Sequence, residues 1–195
     1  MKTQNTKGKI VSAAWKLFYE QGYEETTIED ILFEAEVSRG TFYHYFESKD
    51  ALLGSLSFLF DEKYVELEPE LDKFDSEMEK LLFLNAELFN MIENTVAIEL
   101  LVQLLSSQLV TKGDKHLLDR SRYYYKLLRK IFIAGQASGE FTEELSANEL
   151  VKMYAITERS LMYDWCLCNG EYSLKSYSTR MMPYFMGKIL KYKNI

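Results

Sequence analysis

Val37-Ser38-Arg39-Gly40-Thr41-Phe42-Tyr43-His44-Tyr45-Phe46 is the stretch that decides the fold. Phe42 and Phe46 stand four residues apart, share one helical face and face inward. Ser38 is a good N-cap residue for a short helix running to Tyr45. Ser38, Arg39, Gly40, Thr41, Tyr43 and His44 are then left outside, with Tyr45 either packing between helices or reaching outward. Upstream, Thr27 and Asp30 form a capping-box pair that opens a second helix, buried through Ile28, Ile31, Leu32 and Ala35. Before that, Ile10, Ala14, Leu17 and Phe18 mark one apolar stripe from about Thr6 to Glu20, and Gly22 ends it as a left-handed cap. A helix, a short turn and a short second helix make a helix-turn-helix.

The outer residues of that short helix suit a duplex-DNA surface. Arg39 can donate two hydrogen bonds to a guanine edge, and Thr41 can offer a methyl to thymine or a hydroxyl to a base edge. Gly40 lets the backbone approach the groove. Tyr43, His44 and Lys49 can donate to phosphate oxygens, which fixes register without reading sequence. Thr27 and Ser38 sit at helix N-termini, where free N–H groups favour phosphate.

The chain has 195 residues, a net charge of −7 and 47% hydrophobic residues, which excludes a disordered chain and a globally basic nucleic-acid coat. Binding to phosphate must come from a local patch. Lys2, Lys7, Lys9 and Lys16 meet no acid before residue 20, whereas residues 20–36 carry seven acids and no base. The lysines therefore form a basic arm, or a plain polar end. Nine Gly and two Pro are sparse punctuation that favours long helices. The apolar run Ala51–Phe60 is about half of what a membrane span needs. The polar start lacks a signal-peptide core, so a cytoplasmic protein with no membrane contact is expected. Beyond Asp50, helices are expected near 48–67, 76–93, 96–110, 116–138, 146–168 and 174–192, with a domain boundary between 1–47 and 48–195.

From Ile10 to Leu53 the chain resembles the DNA-binding domain of the TetR/AcrR family of bacterial transcriptional regulators. The matching residues are Ile10, Ala13-Ala14, Leu17-Phe18, Gly22-Tyr23, Thr26-Thr27-Ile28, Asp30-Ile31, Ala35, residues 37–46, Ser48-Lys49 and Leu52. The resemblance implies an all-α fold: three DNA-binding helices followed by a larger helical ligand-binding and dimerisation domain. It also implies a homodimer on an inverted-repeat operator in double-stranded DNA, and a small-molecule effector that releases DNA. Thr27, Ser38, Arg39, Gly40, Thr41, Tyr43, His44 and Lys49 become the DNA-binding residues, and the regulator is expected to be a repressor. Glu29 departs from relatives that carry a basic or neutral residue close to the DNA backbone.

In the larger part, the pocket candidates are Phe89, Leu104, Tyr124, Leu128 and Met162, each equally suited to a plain core. Leu161, Trp165, Met182 and Phe185 on the last two helices are the dimer candidates that the resemblance suggests. Residues 112–130 are the most basic stretch, with Arg122, Lys126 and Lys130 on one face, either a solvated face or a contact for an anionic ligand. Cys166 and Cys168 stand on different sides of a helix, so neither a disulfide nor a metal site is expected. No cofactor is expected, nor an enzyme: no nucleophile–base motif or phosphate-cradling loop appears. Two alternatives are a family member that needs no ligand and a helical small-molecule-binding protein with a vestigial DNA module.

Overall fold

The computed structural model describes residues 6–110 and 115–190. Among them are nine α-helices and no strand: α1 (Thr6–Gln21), α2 (Ile28–Glu34), α3 (Arg39–Tyr45), α4 (Leu56–Leu67), α5 (Glu77–Thr95), α6 (Ile98–Val110), α7 (Tyr123–Ala137), α8 (Ala147–Leu167) and α9 (Leu174–Met186). This is the all-α fold expected from the sequence. Lys2, Lys112 and positions 191–192 of the expected last helix lie outside the described residues. The chain gathers into two compact units, one from residues 1–58 and 95–117 and the other from 59–94 and 118–195. The front helices thus share their unit with α6, a segment distant in sequence.

In the first unit, α1 buries Ile10, Val11, Ala13, Ala14, Trp15 and Phe18. Leu17, placed on the same stripe by its spacing, is only half-buried. Gly22 closes the helix at φ +89°, and its N–H donates to the Phe18 carbonyl at 3.1 Å. Thr27 caps α2 through the full capping box with Asp30, and Ser38 caps α3 through the Thr41 N–H. Phe42 and Phe46 are buried as their spacing predicts. Lys7 and Lys9 lie inside α1 and not in a trailing arm.

The helix expected over 48–67 is broken. Asp50–Ser55 is a 3₁₀ turn, and α4 starts only at Leu56. Gly54 in this turn leaves room for the His116 ring, since a Cβ there would meet His116 Cδ2 at 2.6 Å. The Trp15 indole N–H donates to Ser55 Oγ at 3.0 Å and ties this turn to α1.

In the second unit, the expected helix over 116–138 begins at Tyr123. Asp119 accepts the Ser121 N–H at 2.8 Å, and Arg122 turns to Asp61, which it holds at 2.9 and 3.1 Å. Glu140 reaches the start of α5, accepting from Ser76 Oγ (2.6 Å) and the Glu77 and Met78 N–H groups (2.8 and 3.0 Å). Burial acts to raise its carboxyl, but these hydrogen bonds outweigh burial and hold it below the usual range. Its contribution to stability is therefore present above the unfolded-state pKa and lost as pH falls through the folded value.

Gly135 in α7 faces the Phe141 ring, which is fully buried and lies 5.4 Å from Phe132. A Cβ at residue 135 would fall inside that ring. Gly135→Ala is expected to destabilise the fold by about 1–3 kcal/mol through overpacking. Helix propensity alone favours alanine by roughly 0.5–1 kcal/mol. Urea denaturation separates the two effects, because a midpoint equal to or above that of the parent would mean Phe141 moves aside freely.

Candidate functional site

The N-termini of α2 and α3 bring the front-face residues together. Thr27, Ser38, Arg39, Gly40, Tyr43 and His44 are exposed, and Thr41 is half-buried. The Ser38 and Thr41 hydroxyls are 2.8 Å apart, and Ser38 Oγ also accepts the Thr41 N–H at 3.1 Å. Both hydroxyls thus start from a local hydrogen-bonded pair. Arg39 is paired with Glu29 of α2, and both side chains are more than 60% exposed. An ion pair that open to water adds little stability, so its weight lies in what it does to the guanidinium.

Lys49 departs from the others. Its ammonium donates to the Tyr23 and Thr26 carbonyls at 2.7 and 2.9 Å and sits 4.3 Å from the Tyr23 ring centre. It closes the turn between α1 and α2, and its charge is engaged by those carbonyls. The spacing of Ser48-Lys49 shows a basic residue near the module but not the carbonyls that wait for it.

A second feature lies on the second unit, between α7 and α8. A groove of about 240 Å³ is lined by the buried Tyr125, Val151 and Ala155, the exposed Leu118, the cations Arg120, Lys126, Arg129, Lys152 and Arg159, and Asn148. Five cations and no acid line it among the described residues, in a chain of net charge −7. Arg129 Nε donates to Asn148 Oδ1 at 3.1 Å, and Arg159 Nη1 to the Tyr125 hydroxyl at 3.4 Å. The basic face read from sequence is therefore divided. Arg122 is taken by Asp61 and Lys130 by Glu68 at 3.0 Å, whereas Lys126 opens to the groove. Lys152 and Arg159 were not anticipated, although their seven-residue spacing on α8 puts them on one helical face.

Behind this groove the same two helices bury a polar centre. Glu158 is fully enclosed, its oxygens accepting from Asn85 Nδ2 at 2.9 Å and the Tyr124 hydroxyl at 2.6 Å. Burial pushes its carboxyl above the usual range, against the hydrogen bonds it accepts. The pocket candidates Phe89, Leu104, Tyr124, Leu128 and Met162 are all buried. Of these, Tyr124 hydrogen-bonds to Glu158, and none lines the cationic groove.

The dimer candidates differ in burial within the single chain. Leu161, Trp165 and Met182 are covered by their own chain, and the Trp165 indole donates to the Tyr172 carbonyl at 2.8 Å. Of the four, Phe185 alone is exposed, and Ile156, Tyr163 and Leu167 on α8 and Tyr184 on α9 are exposed too. The described residues hold no cluster of metal-ligating side chains. Burial pushes the Cys166 thiol up to about 11, which keeps it protonated. No single described helix is long and apolar enough to cross a membrane.

Residues 10–56 match the bacterial regulatory proteins of the tetR family, and residues 60–186 match a YsiA-like C-terminal region. The fatty acid metabolism regulator protein of Bacillus subtilis is 25% identical over 185 residues, covering 93% of this chain and 94% of that protein. Two other curated helix-turn-helix regulators match only locally, the chain covering 20% and 24% of their length. Among solved structures, Thermus thermophilus FadR in complex with lauroyl-CoA aligns with a TM-score of 0.75 at 21% identity, covering 97% of this chain and 98% of that one. FadR from Bacillus subtilis in complex with stearoyl-CoA aligns at 0.68 and 23%, covering 93% and 98%. These structural likenesses establish the fold, and the sequence match over both parts gives the kinship. The chain belongs to the tetR family of bacterial regulatory proteins, transcriptional regulators that read DNA through an N-terminal helix-turn-helix.

Proposed function

We propose that the chain is a dimeric repressor that leaves an inverted-repeat operator when it binds a long-chain acyl-CoA. The observation that carries the effector class is the acid-free cationic groove with apolar side chains in its lining between α7 and α8. Such a site suits a polyphosphate head joined to an apolar chain, because clustered cations attract multivalent anions and the apolar lining offers area to bury. The likeness along nearly the whole chain to a fatty acid metabolism regulator supports the same reading, as do two structural neighbours that hold acyl-CoA. The exposed apolar side chains Ile156, Tyr163, Leu167, Tyr184 and Phe185 supply the face for a second copy.

DNA reading is assigned to Arg39 and Thr41 at base edges, with Ser38 and Gly40 close to the groove and Thr27, Tyr43 and His44 on phosphates. Paired α3 helices would enter successive major grooves about 34–36 Å apart. An effector that prefers another spacing of these helices lowers operator affinity by its differential affinity for the two states.

Two outcomes are expected. First, on an operator selected from a random duplex library, Arg39→Ala costs about 1–3 kcal/mol and relaxes preference at one base pair of each half-site. Glu29→Gln removes a negative charge beside the phosphates and frees the guanidinium. It raises affinity for scrambled DNA and so narrows the ratio of operator to scrambled binding. An unchanged ratio in both variants would remove this pair from sequence reading. Second, micromolar lauroyl-CoA releases the operator whereas free CoA does not, and Arg129→Glu raises the concentration needed. Fluorescence anisotropy of labelled operator measures both effects. Release by none of a set of acyl-CoA chain lengths would favour a regulator that works without this effector.

A further inference from the structure

The polar centre of the second unit has no place in a plain helical core. It gathers Tyr64 from α4, Asn85 from α5, Tyr124 from α7, and Tyr154 and Glu158 from α8, each at most 7% exposed. The Tyr154 hydroxyl donates to the Leu81 carbonyl at 2.8 Å, and the Tyr64 ring lies 5.1 Å from that of Tyr124. Two atoms in this centre remain unanswered: the Tyr64 hydroxyl oxygen and Asn85 Oδ1. A buried polar group without a partner costs about 1–3 kcal/mol, and phenylalanine and leucine would fill the same space without that cost. The two orphans are complementary. Asn85 Oδ1 needs a hydrogen, and the Tyr64 hydroxyl has one to give. A hydroxyl group is donor and acceptor at once and can answer either.

The centre also backs onto the cationic groove. Tyr124, Tyr154 and Glu158 belong to the centre, and the residue that follows each of them, Tyr125, Ala155 and Arg159, lines the groove. An apolar chain entering from the groove would part the two helices, α7 and α8, that carry Tyr124, Tyr154 and Glu158. We propose that the polar centre reads a hydroxyl on the effector's acyl chain, so that the protein prefers a hydroxylated acyl thioester to the plain one. This rests on the acyl-CoA reading above.

The test is calorimetric titration of the full chain with lauroyl-CoA and with its β-hydroxy and ω-hydroxy counterparts. One hydroxylated ester is expected to bind about five- to thirtyfold more tightly, the effect of one or two net hydrogen bonds. Tyr64→Phe removes a hydroxyl that has no partner, so its thermal midpoint should equal or exceed that of the parent, while the preference falls to within about twofold. Equal affinity for plain and hydroxylated chains would leave a trapped water as the occupant and overturn the proposal. Loss of thermal stability in Tyr64→Phe with the preference intact would overturn it too. Failure of every ester to bind removes the acyl-CoA reading along with this one, whereas equal binding removes only this one.

Discussion

A carboxyl group taken out of water must be met by donors, and the second unit is arranged around meeting one. Glu158 stands at the middle of the inner face of α8, flanked along the same face by Tyr154, Leu161 and Met162. Asn85 of α5 and Tyr124 of α7 supply its donors from two sides. Tyr154, one turn earlier, fixes α8 to the Leu81 carbonyl of α5. Three helices thereby share one hydrogen-bonded centre, and sliding α8 by a turn would break every bond in it. Replacing only Glu158 would strand Asn85 and Tyr124, which is the costly way to alter a buried network. The apolar stripes bring these helices together, and the polar centre sets their register.

The front unit is held differently, by local bonds at helix ends. Thr27 with Asp30, Ser38 with Thr41, and Lys49 with the carbonyls before α2 each satisfy backbone groups that the helices leave open. That leaves Arg39 as a cation exposed at the start of α3, and Glu29 beside it. With acids dense from Glu20 to Glu36, this surface lacks the excess positive charge that drives indiscriminate DNA binding. A regulator built so depends more on the direction of a few donors than on net charge. Its affinity should then fall less steeply with salt than that of a basic module.

These two modes of assembly explain what could be read from the sequence. Caps and four-residue spacings are local, so Gly22, Thr27, Ser38, Phe42 and Phe46 declared their roles directly. The break before α4 was hidden, and the close approach it contains, His116 against Gly54, joins residues far apart in the chain. Glu158 was hidden because a charged residue in a helix is more often solvated, and its partners lie on other helices. The dimer candidates show the same limit. Periodicity shows which face of α8 and α9 is apolar, and Leu161, Trp165 and Met182 are on that face. It does not show whether the same chain or another copy covers it. Ile156, Tyr163 and Leu167 are the large apolar side chains of α8 that this chain leaves exposed.

Energetics then limit how an effector could act. Moving a two-state regulator from nearly all DNA-competent to nearly all released takes about 10⁴-fold differential affinity, roughly 5.5 kcal/mol. Exposed ion pairs supply about 0–1 kcal/mol each and weaken with salt. The cations around the groove at Lys126 and Arg129 can therefore capture and orient an anionic head, but they are a poor source of the whole shift. Burial of a methylene contributes about 0.8 kcal/mol, so roughly seven methylenes suffice. On this reading the head brings the ligand to the groove, and the chain parts α7 from α8. The polar centre then makes the opening selective: a chain that leaves Tyr64 and Asn85 unanswered gains only the area it buries, and one that answers either gains direction as well.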